Sequence, residues 1–254
     1  MIHEANIFVF DDNEGVADYA VTLWIEMSSE AIVDKGSFMA ALSGGKTPVE
    51  FYKRLAASKD VLSWDRIHIF FADERFVPPA HRESNYGLIK KHLLSHVKMP
   101  DENVHRIQTE GITLVQSATR YEEDIRRFFG YKGDTMPRFD LIMLGIGEDG
   151  HTASLFPGKV SLKERTRLAI PVTAEKFPNK RITLTLPAIN SARKIMFLVS
   201  GRDKAKVVKQ IVEGKRSGLP VSRVQPKQGV VYFVIDKRAA SLLSGRKMGR
   251  WELL

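Results

Sequence analysis

The sequence predicts an α/β fold: a mostly parallel, Rossmann-like sheet with helices on both faces. Strand-length apolar runs alternate with longer segments of helical periodicity, as in repeated β-α units. Runs such as Phe139-Asp140-Leu141-Ile142-Met143-Leu144 are apolar almost throughout, as expected of buried strands. Polar clusters follow these runs repeatedly, at the carboxyl ends where ligands bind in such sheets.

Taken in order, Asn6 to Phe10 reads as a strand. Glu14 to Val33 follows as a helix, with Val16, Tyr19, Ala20, Leu23, Trp24 and Met27 at helical spacing. Phe38 to Leu42 is a strand, and a helix then runs from Pro48 to about Ala57. Ile67 to Ala72 is a strand, followed by helices over Ser84 to Leu94 and Ser117 to Phe129. Phe139 to Leu144 is the next strand. The stretch from Leu162 to Asn179 is polar, carries Pro171 and Pro178, and is expected to form a lid or a small subdomain excursion. Ile182, Leu184 and Leu186 alternate with polar residues, which predicts a half-exposed strand over Arg181 to Leu186. Ile195 to Val199 is a buried strand, Asp203 to Val212 a helix, and Val230 to Ile235 the last strand. No internal repeat or sharp boundary divides the chain, so residues 1–254 are expected to form one domain.

Composition narrows the function classes. The chain is 43% hydrophobic and 27% charged, as expected of a protein with a proper core. It has no cysteine, which excludes disulfides, thiolate catalysis and cysteine-ligated zinc, and fits a cytoplasmic location. The N-terminal residues show no signal peptide, and no apolar run is long enough to span a membrane. The net charge of +9 suits an anionic partner. The basic residues are scattered, with mild clusters at Lys204-Lys206-Lys209 and Lys215-Arg216, and no nucleic-acid-binding signature accompanies them. A small phosphate ester is therefore expected rather than nucleic acid. The sequence does not decide the oligomeric state; a monomer is the reading carried forward.

Three segments carry chemistry. Ser43-Gly44-Gly45-Lys46-Thr47-Pro48 joins a strand to a helix. Its exposed amides and the helix N-terminus make an anion site; the same residues also read as a tight turn with Thr47 as N-cap and Pro48 at the first helical position. The P-loop spacing is absent. Asp73-Glu74-Arg75 ends a strand, where a guanidinium suits a phosphate, a carboxylate or a developing oxyanion, and where a plain solvated loop is the alternative. Ser84 reads as the N-cap of the helix that follows. Gly145-Ile146-Gly147-Glu148-Asp149-Gly150-His151-Thr152 combines a glycine turn with an Asp–His pair. The carboxylate can orient the imidazole for proton transfer; a capped turn with a solvent-facing histidine is the alternative. Lys204, near the start of a helix, opposes the helix dipole, a local conflict of the kind found at functional sites. Arg181 is a weaker candidate. His92 and His96 stand at metal-ligand spacing without an obvious third ligand, so no metal is expected.

These segments, with Ser84-Asn85-Tyr86, Gly145 through Gly158, Arg181 to Pro187 and Gly201-Arg202-Asp203-Lys204-Ala205, resemble the 6-phosphogluconolactonase family over nearly the whole chain. The resemblance implies an α/β fold shared with glucosamine-6-phosphate deaminases and hydrolysis of 6-phosphogluconolactone in the pentose phosphate pathway, with no metal or other cofactor. The deaminase is the runner-up. Its motif carries a glutamate where this chain has Phe156, and Asp-Glu-Tyr where this chain has Asp73-Glu74-Arg75. A sensor that binds sugar phosphates without catalysis is a further alternative. On the lactonase reading, His151 is the general base, Asp149 holds its tautomer, and Arg75 stabilises the developing oxyanion. Ser43, Gly44, Gly45, Lys46 and Lys204 hold the phosphate. Arg202, Arg181 and Gly147 are further substrate contacts, and Asp73 orients either Arg75 or a sugar hydroxyl.

Overall fold

A computed structural model describes residues 5–130, 135–175, 177–214 and 218–244. The Lys215-Arg216 cluster and the N-terminal segment lie outside the described residues.

The larger sheet has six parallel strands in the order β1-β9-β8-β5-β2-β3. They are β1 (Ala5–Phe10), β2 (Phe38–Leu42), β3 (Ile67–Phe71), β5 (Leu141–Leu144), β8 (Lys194–Val199) and β9 (Val230–Asp236). The inner strands β5 and β8 are buried almost residue for residue, which explains their unbroken apolar runs. Around this sheet lie α1 (Asn13–Lys35), α2 (Pro48–Ala57), α3 (Asn85–His92), α4 (Leu114–Phe129), α5 (Leu186–Asn190), α6 (Ala205–Val212) and α7 (Lys237–Ala240). Local chemistry sets their ends. Asp12 caps α1 by accepting from the Glu14 and Gly15 amides, and Gly36 closes it in the left-handed conformation at φ 82°. Ser84 caps α3, as expected, through the Gly87 amide. Thr47 does not cap α2: its backbone is already helical and its side chain makes no cap bond, leaving Pro48 to start the helix. The α4 helix begins at Leu114, ahead of Ser117, because Thr113 and Gln116 form a capping box.

The second sheet is small and antiparallel: β4 (Asp73–Arg75), β7 (Lys180–Leu184) and β6 (Ala169–Thr173), in the order β4-β7-β6. It decides one expectation and corrects another. Of the two readings of the 162–179 stretch, a lid or a small subdomain excursion, the second fits. Its Ala169–Thr173 portion is an edge strand packed on α4, where Pro171 is tolerated because one side of the strand needs no partner, and Arg167 is tied to Glu122 of α4 at 2.5 Å. The Arg181 region is not a half-exposed alternating strand. As the middle strand, β7 buries Ile182, Thr183 and Leu184 alike, and Leu186 already belongs to α5. The sheets join at Ala72. Its amide donates to Leu42 O of β2, and its carbonyl accepts from Leu184 N of β7, both at 2.8 Å.

The outer edge of β3 is closed by Tyr121 of α4, whose buried hydroxyl accepts from Phe71 N at 2.8 Å and donates to Phe71 O at 2.7 Å. Removing it strands both groups. Tyr121→Phe is expected to cost about 1–3 kcal/mol, read as a lower urea midpoint at unchanged slope; an unmoved midpoint would show that the edge is satisfied otherwise.

Candidate active site

A cleft of about 530 Å³ opens at the carboxyl ends of β2, β5 and β8, beside the sheet junction. Ser43, Gly44, Gly45 and Lys46 line it from the β2–α2 turn, Asp73 and Arg75 from β4, Gly147 and His151 from the loop after β5, Arg181 from β7, and Lys204 from the turn before α6. Distant segments thus meet in one crevice. Arg202 does not join them. Residues 202–204 form a 3-10 turn that leaves Arg202 exposed and outside the lining, so its expected substrate contact is withdrawn.

At one end stands the imidazole. Gly150, at φ 79°, lets the loop reverse, and Gly147 N bonds His151 O at 2.9 Å. A Cβ on Gly147 would run into the His151 ring, so only glycine permits this packing. Asp149 lies behind the ring, outside the lining of this cleft, with Oδ1 2.5 Å from His151 Nδ1 and 3.1 Å from His151 N. The ionised carboxylate only accepts, so Nδ1 carries the hydrogen and Nε2 is left as the basic nitrogen. Burial pushes the Asp149 carboxyl up, but the His151 amide, charge and ring hydrogen bond outweigh it and hold Asp149 below the ordinary value. Phe156 packs against the imidazole at 4.9 Å between ring centroids, and the Arg181 guanidinium lies over the other partner of this stack, 5.6 Å from the Phe156 centroid. Ala153, which also lines the cleft, holds a positive φ of 48°, and no other described non-glycine residue has a positive φ. Strain of this kind collects at functional sites.

Arg75 and Arg181 face each other directly across β4 and β7. Burial, and then the Arg75 charge, draw the Arg181 guanidinium below its ordinary value. Like charges placed opposite one another are destabilising, and Arg75 Nε is buried with no partner. Arg75 Nη1 is steadied by Glu83 O at 2.8 Å. Such a pair suits an anion or a developing oxyanion held between the two side chains.

Beneath Arg75 lies a buried acid network. Asp73 accepts from Ser154 Oγ at 2.6 Å and from Asn85 Nδ2 at 3.3 Å. Glu74 accepts from the amides of Arg75, Asn85 and Tyr86, each at 2.7 Å, and from Ser84 Oγ at 3.2 Å. It therefore holds the first turn of α3 against β4. The Ser43–Lys46 turn is fixed by Tyr52, whose hydroxyl donates to Ser43 O at 2.6 Å. Lys204 reaches the cleft with Asp203 at 3.0 Å and Glu148 at 3.9 Å. His92 and His96 stand apart: His96 Nε2 lies 3.0 Å from Lys91 O, and no cluster of three or more metal-ligating side chains occurs among the described residues.

Sequence reasoning gave no site role to Asn13, Asn85 or Ser200, which line the cleft, or to Glu74 and Ser154, which hold Asn85 and Asp73. Asn13, Ser43, Arg75 and Asn85 each carry a buried polar side-chain atom with no partner, and all line this cleft. Unmet groups gathered in one place mark where a polar ligand docks.

A parallel sheet with a glycine-rich strand-to-helix turn and an acid–imidazole pair at its carboxyl edge defines an α/β protein with a strand-end cleft. A family model described as glucosamine-6-phosphate isomerases/6-phosphogluconolactonase matches residues 11–233, and the chain belongs to this family. It is 41% identical to a 6-phosphogluconolactonase of Rattus norvegicus over 215 residues, covering 83% of this chain and 82% of the relative. It is 37% identical to one of Nostoc sp. over 238 residues, covering 93% and 97%. The crystal structure of a 6-phosphogluconolactonase from Thermotoga maritima matches with a TM-score of 0.80 at 31% identity, over 92% of this chain and 100% of that one.

Burial pushes the Glu74 carboxyl up to about 7, against the amides of Tyr86, Asn85 and Arg75, which favour its ionised form; the Asp73 charge adds to the rise. The folded value lies above the unfolded one. The stability this group contributes is therefore full in acid and lost as pH rises through about 7. The melting temperature of the wild type is expected to fall between about pH 5 and 8 relative to Glu74→Gln, which cannot titrate; parallel curves would show that Glu74 ionises as freely folded as unfolded.

Proposed function

We propose that this protein hydrolyses 6-phospho-D-glucono-1,5-lactone to 6-phosphogluconate, in the oxidative branch of the pentose phosphate pathway. The observation that carries this reading is a single cleft with an anion-binding turn at one end and an Asp-backed imidazole beside paired arginines at the other. The names of its relatives support the same reading.

The substrate phosphate rests on the amides of Ser43 to Lys46, with the Lys204 ammonium beside it. His151 Nε2 takes a proton from water as the water oxygen attacks the lactone carbonyl carbon. Asp149 keeps the proton on Nδ1 and stabilises the imidazolium. Charge moves to the carbonyl oxygen, where Arg75, with Arg181 facing it, stabilises the tetrahedral species. On collapse the bond from the carbonyl carbon to the ring oxygen breaks, and His151 returns its proton to that oxygen. The product is the open-chain acid. Ring opening needs no redox change and no group beyond these side chains. Gly147 keeps the imidazole in its place, and Asp73, held by Ser154 and Asn85, faces the sugar.

Deamination of glucosamine 6-phosphate is the second reading, and Phe156 argues against it. Its ring occupies the place beside His151 where the deaminase motif carries a glutamate. The test sets 6-phosphogluconate formation from fresh lactone, corrected for spontaneous hydrolysis, beside ammonia release from glucosamine 6-phosphate. Ammonia without lactone turnover would overturn the proposal. His151→Ala is expected to lose about 10²–10⁴-fold in kcat; near-normal turnover would reject it as the base. Lys204→Ala is expected to raise KM with little change in kcat, since phosphate binding is uniform between ground and transition states. Equal KM values for phosphorylated and unphosphorylated lactones in the wild type would remove the phosphate site.

A further inference from the structure

Asn85 is the most constrained of the cleft residues with an unmet polar atom. It is the first residue of α3, and only 1% of its surface is exposed. Glu74 Oε1 grips its amide at 2.7 Å. Its Nδ2 donates to Asp73 O at 2.9 Å and to Asp73 Oδ1 at 3.3 Å. Both partners are acceptors, so the amide cannot flip, and its oxygen is the atom left over. That Oδ1 is buried, unpartnered, and set so close to Gly44 that a Cβ there would overlap it. Asn85 therefore presents a fixed acceptor beside the anion turn, with the Asp73 carboxylate next to it.

An acceptor so placed does not suit a phosphate oxygen, whose lone pairs it would oppose. It needs a donor from the ligand. We propose that Asn85 Oδ1 accepts a hydrogen bond from one ring hydroxyl of the phosphorylated sugar, making Asn85 a substrate-binding and specificity-determining residue, with Glu74 its positioning residue. This rests on the sugar-phosphate reading of the cleft and adds which face of the ligand is read. The phosphate is gripped by donors; the polyol is read by acceptors. Binding only the hydroxylated form fills a group that is otherwise buried and unmet, and this is a strong source of discrimination.

The experiment is a cycle between protein and substrate. Wild type and Asn85→Ala are assayed with the 6-phospholactone and with its 2-, 3- and 4-deoxy analogues. The matching open-chain phosphorylated acids are titrated by calorimetry, which needs no turnover. With the wild type, one deoxy analogue is expected to lose about 10–100-fold in kcat/KM and in affinity, the others far less. In Asn85→Ala the parent is expected to fall to the level of that same analogue, within about 3-fold, chiefly through KM. Equal losses by Asn85→Ala on the parent and all three analogues would assign it a structural role only and overturn the proposal. So would a wild type that binds every deoxy acid as tightly as the parent, a result that needs no variant to fold. Hydroxyl discrimination in binding without lactone turnover would refute the hydrolase reading alone, and turnover without discrimination would refute this inference alone.

Discussion

The site depends on one buried residue, Ala72, where the chain leaves the parallel sheet for the antiparallel one. Its amide completes pairing with β2 and its carbonyl completes pairing with β7. A buried backbone group left unmet costs as much as a lost hydrogen bond, so both contacts hold the chain in one course. The residues that follow are thereby delivered to the rim of the cleft in strand geometry: Asp73 and Arg75 are presented there, and Glu74, pairing with Ile182, is turned to the opposite face. Alternation along a strand thus separates the groups that line the cleft from the carboxylate that anchors α3.

What the cleft gains in chemistry it loses in local stability. Arg75 and Arg181 are set opposite each other, Ala153 sits in a left-handed backbone conformation, and several buried polar atoms lack partners. Each is individually unfavourable, and their concentration at one place follows the general pattern of strain held at functional sites. The surrounding structure outweighs it. The strands β5 and β8 that end at the cleft are among the most completely buried, so their loops start from rigid points.

Elements with a strong local signal were legible in the sequence. The β2 strand and α2 are bounded where the apolar run and Pro48 place them, and the glycine-rich loop after β5 does carry the imidazole into the cleft. The small sheet was not legible, because β4 is too short for any periodicity and β6 contains a proline that only an edge strand accepts. The β7 strand looked half-exposed because Thr183 is polar, yet that hydroxyl is buried accepting from Ser154 N. Lys204 stood out in the sequence by its conflict with the helix dipole and Arg202 did not; the tight 3-10 turn leaves Arg202 exposed and brings Lys204 to the cleft. Asn85 looked like an ordinary helix-start residue behind its Ser84 cap. What distinguishes it is contact with Asp73 and Gly44, far away in sequence.

Phe156 places an aromatic ring, and no charge, between His151 and Arg181. The aromatic ring lies against His151 and under the Arg181 guanidinium. A carboxylate at this point would neutralise Arg181 and compete with Asp149 for the imidazole. The phenyl ring does neither: it supports the cation through its face, a contact worth about 0.5–2 kcal/mol, and leaves the imidazole coupled to Asp149. The cleft then keeps two guanidiniums and the Asp73 carboxylate beside an imidazole oriented by Asp149. That balance of charge complements an oxyanion forming at a carbonyl, while a substrate amine would meet the arginines as a like charge. An apolar side chain at this point thus leaves the charge of the cleft to its arginines and carboxylates.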